Sequence, residues 1–234
     1  IICTLPICGE KNKIEQNMNK KQIALTTLLC LSSLYTGAAS TDKAKLSLDR
    51  NHIKVWTYQK ADNPVFQYKA ETTFDVPLER AVAVILDVDR AAQWVPYMGK
   101  VQMLSQDEKK GEFTLYMVLD FPFPLKDRDV VVKGKMSKAA NGLITIKNTA
   151  VNSNYPIQPD VVRLTRYEGD WTFQKLANNK VKVTTSGYAD PAGAIPLSFV
   201  NMFVQQQPYQ MLLKMKREVM NPIYEQPKLP EILK

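Results

Sequence analysis

The sequence predicts an α+β domain, an antiparallel β-sheet completed by one long C-terminal α-helix. Three observations carry this. Short alternating segments fill residues 101 to 188 with tight-turn residues between them. No helix-length crossover separates those segments, which favours antiparallel over parallel pairing. A single extended amphipathic stretch, Leu197 to Val219, follows them.

The elements follow in order. His52 to Gln59 alternates, with Ile53, Val55 and Thr57 on one side, and Phe66 to Phe74 alternates again after the turn signal Asp62-Asn63-Pro64. Asp75 and Pro77 supply helix-start chemistry, a side-chain cap and a preset φ. Leu78, Val82, Ile85 and Leu86 then recur at helical spacing to Val88, and Asp87 to Gln93 reads as a short helix or turn before Trp94-Val95-Pro96. Strands are expected at Lys100–Ser105, Glu112–Asp120, Arg128–Met136, Leu143–Thr149, Val161–Tyr167, Gly169–Leu176 and Lys180–Tyr188. Lys109-Lys110-Gly111, Asn141-Gly142 and Asn178-Asn179 mark the tight connections. Pro208 sits inside the last helix and predicts a kink near Val204 to Pro208.

The 234 residues, 45% hydrophobic and 23% charged, suit one globular domain with appendages. Met18-Asn19-Lys20-Lys21, the apolar run Ile23–Leu34 and the small residues Gly37 to Ser40 have the three-part layout of a secretory signal peptide, cleaved after Ala39 or Ser40. The expected organisation is an over-called upstream segment at 1–17, a signal peptide at 18–40, a flexible lead-in at 41–50, the domain at 51–221 and an irregular tail at 222–234. The location expected is therefore exported, periplasmic or secreted. A retained membrane anchor, or a lipoprotein at Cys30, is the alternative.

Cys3, Cys8 and Cys30 all precede the expected cleavage point, so the remainder has no disulfide, thiolate nucleophile or zinc–thiolate site. The only histidine is His52, outside the main body, which disfavours Ser-His-acid or Cys-His catalysis. There is no Gly-rich phosphate loop, no HExxH and no metal-ligand spacing of acids, so no catalytic residue, metal or cofactor is expected. The net charge is +8, of which residues 41 onward keep +6. The basic residues are dispersed and not interleaved with aromatics, which argues against nucleic acid. Transient contact with an anionic membrane surface, or solubility alone, accounts for the surplus.

Several segments resemble one known family. Val84-Ile85-Leu86-Asp87-Val88-Asp89 leading to Trp94-Val95-Pro96, the strand opening Pro124-Leu125-Lys126-Asp127-Arg128-Asp129-Val130-Val131, and Trp171-Thr172-Phe173 occur in its order. So do Tyr188-Ala189-Asp190-Pro191, Gly193-Ala194-Ile195-Pro196 and the last helix. Together they resemble the START (steroidogenic-acute-regulatory-related lipid transfer) domain of the Bet-v-1-like superfamily. The resemblance implies a helix-grip fold, a curved antiparallel sheet wrapped around the C-terminal helix with an internal hydrophobic cavity. It implies non-enzymatic binding, and transfer, of one lipid or sterol-like ligand. The gate it implies is the C-terminal helix and the loop after the Arg-Asp strand, Ser137 to Gly142. A polyketide cyclase/aromatase- or hydrolase-like enzyme on the same scaffold is the alternative.

Within that frame Trp94, Tyr116, Trp171 and Tyr188, with Phe199, Met202, Phe203 and Tyr209 on the last helix, are candidate cavity residues. Ordinary core packing is the competing reading for each. Gln205-Gln206-Gln207, with Gln206 on the broad helix face, is a candidate polar lining or a solvated face. Strand parity points Arg128, Val130, Val132, Gly134 and Met136 inward and puts Asp129 and Val131 with solvent-facing Lys133 and Lys135. An inward Arg128 needs a partner, either an acid such as Asp89 or Asp127 or a ligand head group. Phe121-Pro122-Phe123-Pro124 and Ala194-Ile195-Pro196-Leu197 offer apolar side chains to a membrane or to the end of the sheet.

Overall fold

A computed structural model describes residues 44–60 and 63–234. The expected signal peptide, the upstream segment and Asp62 of the first turn lie outside the described residues. Ten strands form one sheet: β1 (Lys45–Arg50), β2 (Ile53–Tyr58), β3 (Gln67–Phe74), β4 (Met98–Asp107), β5 (Glu112–Leu119), β6 (Arg128–Lys138), β7 (Ile144–Ala150), β8 (Val162–Arg163), β9 (Tyr167–Leu176) and β10 (Lys180–Ala189). Among the described residues three α-helices accompany them: α1 (Leu78–Leu86), α2 (Ala91–Trp94) and α3 (Leu197–Glu218). The sheet order is β1-β2-β3-β10-β9-β7-β6-β5-β4, with antiparallel neighbours throughout. This is the curved open antiparallel sheet with a C-terminal helix that the sequence predicts. Among the described residues no helix is long and apolar enough to cross a membrane.

Alternation within the strands decides which face enters the core. Ile53, Val55 and Thr57 are buried while Lys54 is exposed. Val130, Val132 and Met136 of β6, Ile144 and Ile146 of β7, Phe173 of β9 and Val181 and Val183 of β10 continue that face. Leu212 and Met215 of α3 and Ala81 and Val82 of α1 close over it. Gly134 is required on β6 because a Cβ there would sit 2.0 Å from the Phe113 ring of β5.

Four local expectations change. The lead-in at 45–50 is strand β1, a hairpin partner of β2 turned through Asn51 and His52 at positive φ. Asp75 does not cap α1; it pairs with Lys180 at 2.7 Å, and Pro77 is the N-cap. The strand expected at Val161–Tyr167 shrinks to the two residues of β8, which run parallel to β6. Their place is set by β7, which pairs only with Val132–Lys138 and leaves the edge at Arg128–Asp129 open. The tail is packed, not irregular. Residues 222–224 and 231–233 form 3-10 turns, Tyr224 donates to Asp87 Oδ2 at 3.1 Å, and Leu229 and Leu233 are buried.

Candidate functional site: a cavity beneath the C-terminal helix

A cavity of about 220 Å³ lies between the sheet and the first half of α3. Its floor comes from inward positions of three strands, Leu115 and Met117 of β5, Tyr167 and Trp171 of β9 and Thr185 of β10. Ile85, Val88 and Trp94 wall one side. The roof is the α3 stripe Val200, Phe203, Val204, Gln207 and Met211, the i, i+3, i+4, i+7, i+11 pattern of one helix face.

The mouth is aromatic. The Phe203 ring lies 4.7 Å from that of Tyr97 and 5.7 Å from that of Phe121, so three elements meet there. Tyr97, Leu197 and Met202 are each about half exposed and Phe123 is 97% exposed, so these elements also present apolar side chains to solvent. Arg128 donates from Nε to the Pro191 carbonyl at 3.1 Å, from Nη2 to that of Ala192 at 3.3 Å and from Nη1 to that of Lys126. Its guanidinium lies 4.6 Å above the Phe121 ring. Burial pulls its pKa below the ordinary value, with the Asp127 charge opposing.

The wall is electrically quiet. Burial raises the pKa of Tyr68 and Tyr167, so both phenols stay neutral at physiological pH. Tyr188 accepts from Asn63 Nδ2 at 2.8 Å. Glu168 contributes an exposed carboxylate at the edge, and among the described residues no Lys, Arg or His lines the cavity. Among the described residues no group of three or more His, Cys, Asp or Glu side chains could hold a metal. Such a chamber can remove an apolar body from water and offer hydrogen bonds from a few neutral groups.

The structure brings Trp94, Trp171, Tyr188, Phe199 and Phe203 together in this wall. It places the other five candidates elsewhere. Tyr116 points to the outer face, because Phe113, Leu115 and Met117 take the inward parity of β5. There it donates to Asp129 Oδ2 at 3.0 Å and lies 4.3 Å from the Tyr155 ring. Met202 and Gln206 are exposed, and Tyr209 packs towards β1–β2, accepting from Asn51 Nδ2 at 2.8 Å. The reason is rotational: Met202 and Gln206 each precede a lining residue by one position, about 100° of helix, and Tyr209 lies about 200° beyond Gln207. Arg128 contacts neither an acid nor the cavity; main-chain carbonyls satisfy it.

Two further expectations are corrected. Asp129 and Val131 share the face of Lys133 and Lys135 but are buried, because residues 151–163 cover that end of the sheet. Arg163 pairs with Asp129 through Nε at 2.6 Å and Nη2 at 2.9 Å. The loop Ser137–Gly142 is a tight β6–β7 hairpin beside the C-terminus, where Lys138 Nζ donates to the Lys234 carbonyl at 2.8 Å, and it gives nothing to the cavity wall. Phe121 and Pro191, on the β5–β6 and β10–α3 connections, line the cavity instead. Of the candidate polar lining Gln205-Gln206-Gln207 it is Gln207 that lines the cavity; sequence reading missed Tyr167, although it shares strand parity with Trp171, and it missed Val204, whose spacing from Val200 was the available signal.

Comparison with known proteins gives the same architecture. A family model described as START domain matches residues 30–222. An uncharacterized protein of Pseudomonas aeruginosa is 24% identical over 191 residues, covering 81% of this chain and 93% of that one. The phosphatidylcholine transfer protein of Bos taurus is 24% identical over 162 residues, covering 67% and 75%. A solved fragment of a StAR-related lipid transfer protein from Xanthomonas axonopodis is 27% identical, with a TM-score of 0.71, covering 77% of this chain and all of that fragment.

Proposed function

Because the chain belongs to the START domain family, we propose that it is a non-enzymatic carrier that holds one hydrophobic ligand, a lipid or sterol-like molecule, in the cavity beneath α3. The observation that carries this is the wall itself, mostly apolar and aromatic with the buried Tyr68 and Tyr167 phenols neutral. Family membership and relatives named as lipid transfer proteins support lipid binding and transfer. Each methylene buried there gains about 0.8 kcal/mol relative to water. A filled cavity thus offsets much of the cost of leaving a bilayer, and exchange is set by opening of the mouth.

The opening step in this reading is movement of the first half of α3 against Tyr97 and Phe121, which separates the Phe203 contacts. The exposed rim of Tyr97, Phe123, Leu197 and Met202 is the surface that meets the membrane, and the +6 surplus favours an anionic one. The same reading places the protein outside the cytoplasm, with mature chain beginning at Ser40 or Thr41; N-terminal sequencing of purified protein tests that.

Native mass spectrometry of protein purified from its source tests the carrier. The expected result is one co-purifying lipid class at one molecule per chain. Val204→Trp, which fills the cavity from its roof, should lose that mass while keeping the wild-type circular dichroism. Protein that emerges empty and turns over a polyketide would instead establish the enzyme.

A further inference from the structure

Among the described residues seven besides glycine hold a positive φ, and five of these are Asn, Asp or His, the types that tolerate the left-handed region. The other two, Tyr97 and Ala192, gain nothing from that conformation, and both stand at the cavity mouth. Tyr97 is the third residue of the turn Val95–Met98, closed by the Met98 N–H donating to the Val95 carbonyl at 3.3 Å. Its φ of 60° falls where a turn of this kind favours Gly or Asn. Its carbonyl accepts from the Asp120 N–H at 2.9 Å, which ties the turn beside Phe121, so Phe203 of α3 meets two rings of one corner. Ala192, with a φ of 51°, precedes Gly193 at 73° in the connection between β10 and α3. Its N–H donates to Asp190 Oδ1 at 3.1 Å, and its carbonyl accepts from Arg128 Nη2 at 3.3 Å. Any lift of the first half of α3 is absorbed by the dihedrals of this connection. A left-handed residue bearing a Cβ is strained and persists only where its surroundings hold it. At Tyr97 the holding contact is the Phe203 ring, which opening removes.

We infer that the mouth is spring-loaded: Tyr97 and Ala192 are positioning residues whose left-handed backbone is strained while α3 is seated and relaxes as its first half lifts. This rests on the carrier reading above and adds what sets the rate of release. The Tyr97 ring holds the closed state through Phe203, and the strain in its backbone lowers the cost of opening. The two effects oppose one another at a single residue, so substitution separates them. Tyr97→Ala removes the ring and keeps the strain, because alanine retains the Cβ. Tyr97→Gly removes both.

Full-length protein loaded with pyrene-labelled phosphatidylcholine or pyrene-labelled cholesterol, then mixed with dioleoylphosphatidylcholine vesicles, reports release by stopped-flow fluorescence. Tyr97→Ala should release its probe faster than the wild-type protein. Tyr97→Gly should release it about fivefold or more slowly than Tyr97→Ala. Ala192→Gly, which takes away a single methyl group, should release about fivefold more slowly than wild type, and it decides alone if the Tyr97 variants do not fold. Equal release from Tyr97→Ala and Tyr97→Gly, or an Ala192→Gly protein as fast as wild type, would show that the strain outlasts opening and would overturn the inference while leaving the carrier reading in place. Wild-type protein that takes up neither probe would sink the carrier reading and the inference with it.

Discussion

Replacing Arg128 with Met tests how the cavity mouth is held. Arg128 is 3% exposed, and its guanidinium spans two separate loops, bonding Lys126 on the β5–β6 side and Pro191 and Ala192 on the β10–α3 side. It also lies on Phe121, which with Pro191 forms part of the cavity wall. Hydrogen bonds from a charged donor contribute about 1.5–3 kcal/mol each, and a cation over an aromatic face about 0.5–2 kcal/mol. The sum is reduced twice: the carbonyls sit in partly exposed loops and regain water, and Met carries no desolvation cost. A net loss of about 2 kcal/mol is expected for Arg128→Met. Arg128→Lys should lose about 1 kcal/mol, because an ammonium cannot fork between the loops. Urea unfolding followed by tryptophan fluorescence measures the loss as a midpoint shift at constant slope. Stopped-flow transfer of a fluorescent lipid should be faster in Arg128→Met, since both sides of the mouth are freed. An unchanged midpoint with an unchanged transfer rate would refute the pinning role. A lysine variant equal to wild type would show that charge alone, not the fork, is what the loops need.

Other perturbations probe the rest of the frame. Arg163→Met leaves the fully buried Asp129 carboxylate without its cation and should cost about 3–5 kcal/mol in the same unfolding assay; a loss below about 1 kcal/mol would show that the pair is dispensable. The Tyr116 phenol is pushed up to about 12 by burial, then by its bond to Asp129 and that carboxylate's charge. Since the unfolded phenol ionises near 10, its contribution is complete below about pH 10 and is lost as pH rises through 12, about 2–3 kcal/mol in all. Tyr116→Phe should flatten that alkaline limb, and an identical pH profile would contradict the shift. Leu233→Ala, at the penultimate position, should cost about 2 kcal/mol because the side chain is 1% exposed. A truly irregular tail would show no change in melting temperature.

Most strands and both main helices were legible in the sequence because the physics behind them is local. Alternation at Ile53, Val55 and Thr57, helical spacing from Leu78 to Ile85, and the turn pairs Asn141-Gly142 and Asn178-Asn179 each act within a few residues. Trp94, Trp171, Phe199 and Phe203 were also within reach, since large apolar side chains seek burial wherever the chain brings them. Periodicity says which residues share a face; it does not say what covers that face. Asp129 was assigned to solvent on correct parity, yet residues 151–163 fold back over it and Arg163 arrives from 34 positions away to neutralise it. The broad apolar stripe of α3 was visible, but its orientation depends on the sheet it meets, and a turn of about 100° separates exposed Met202 and Gln206 from the lining Phe203 and Gln207. The sequence by itself thus determined most of the elements, their order and the family. Tertiary structure decided which side chains face the ligand space, because burial is a property of what packs on top.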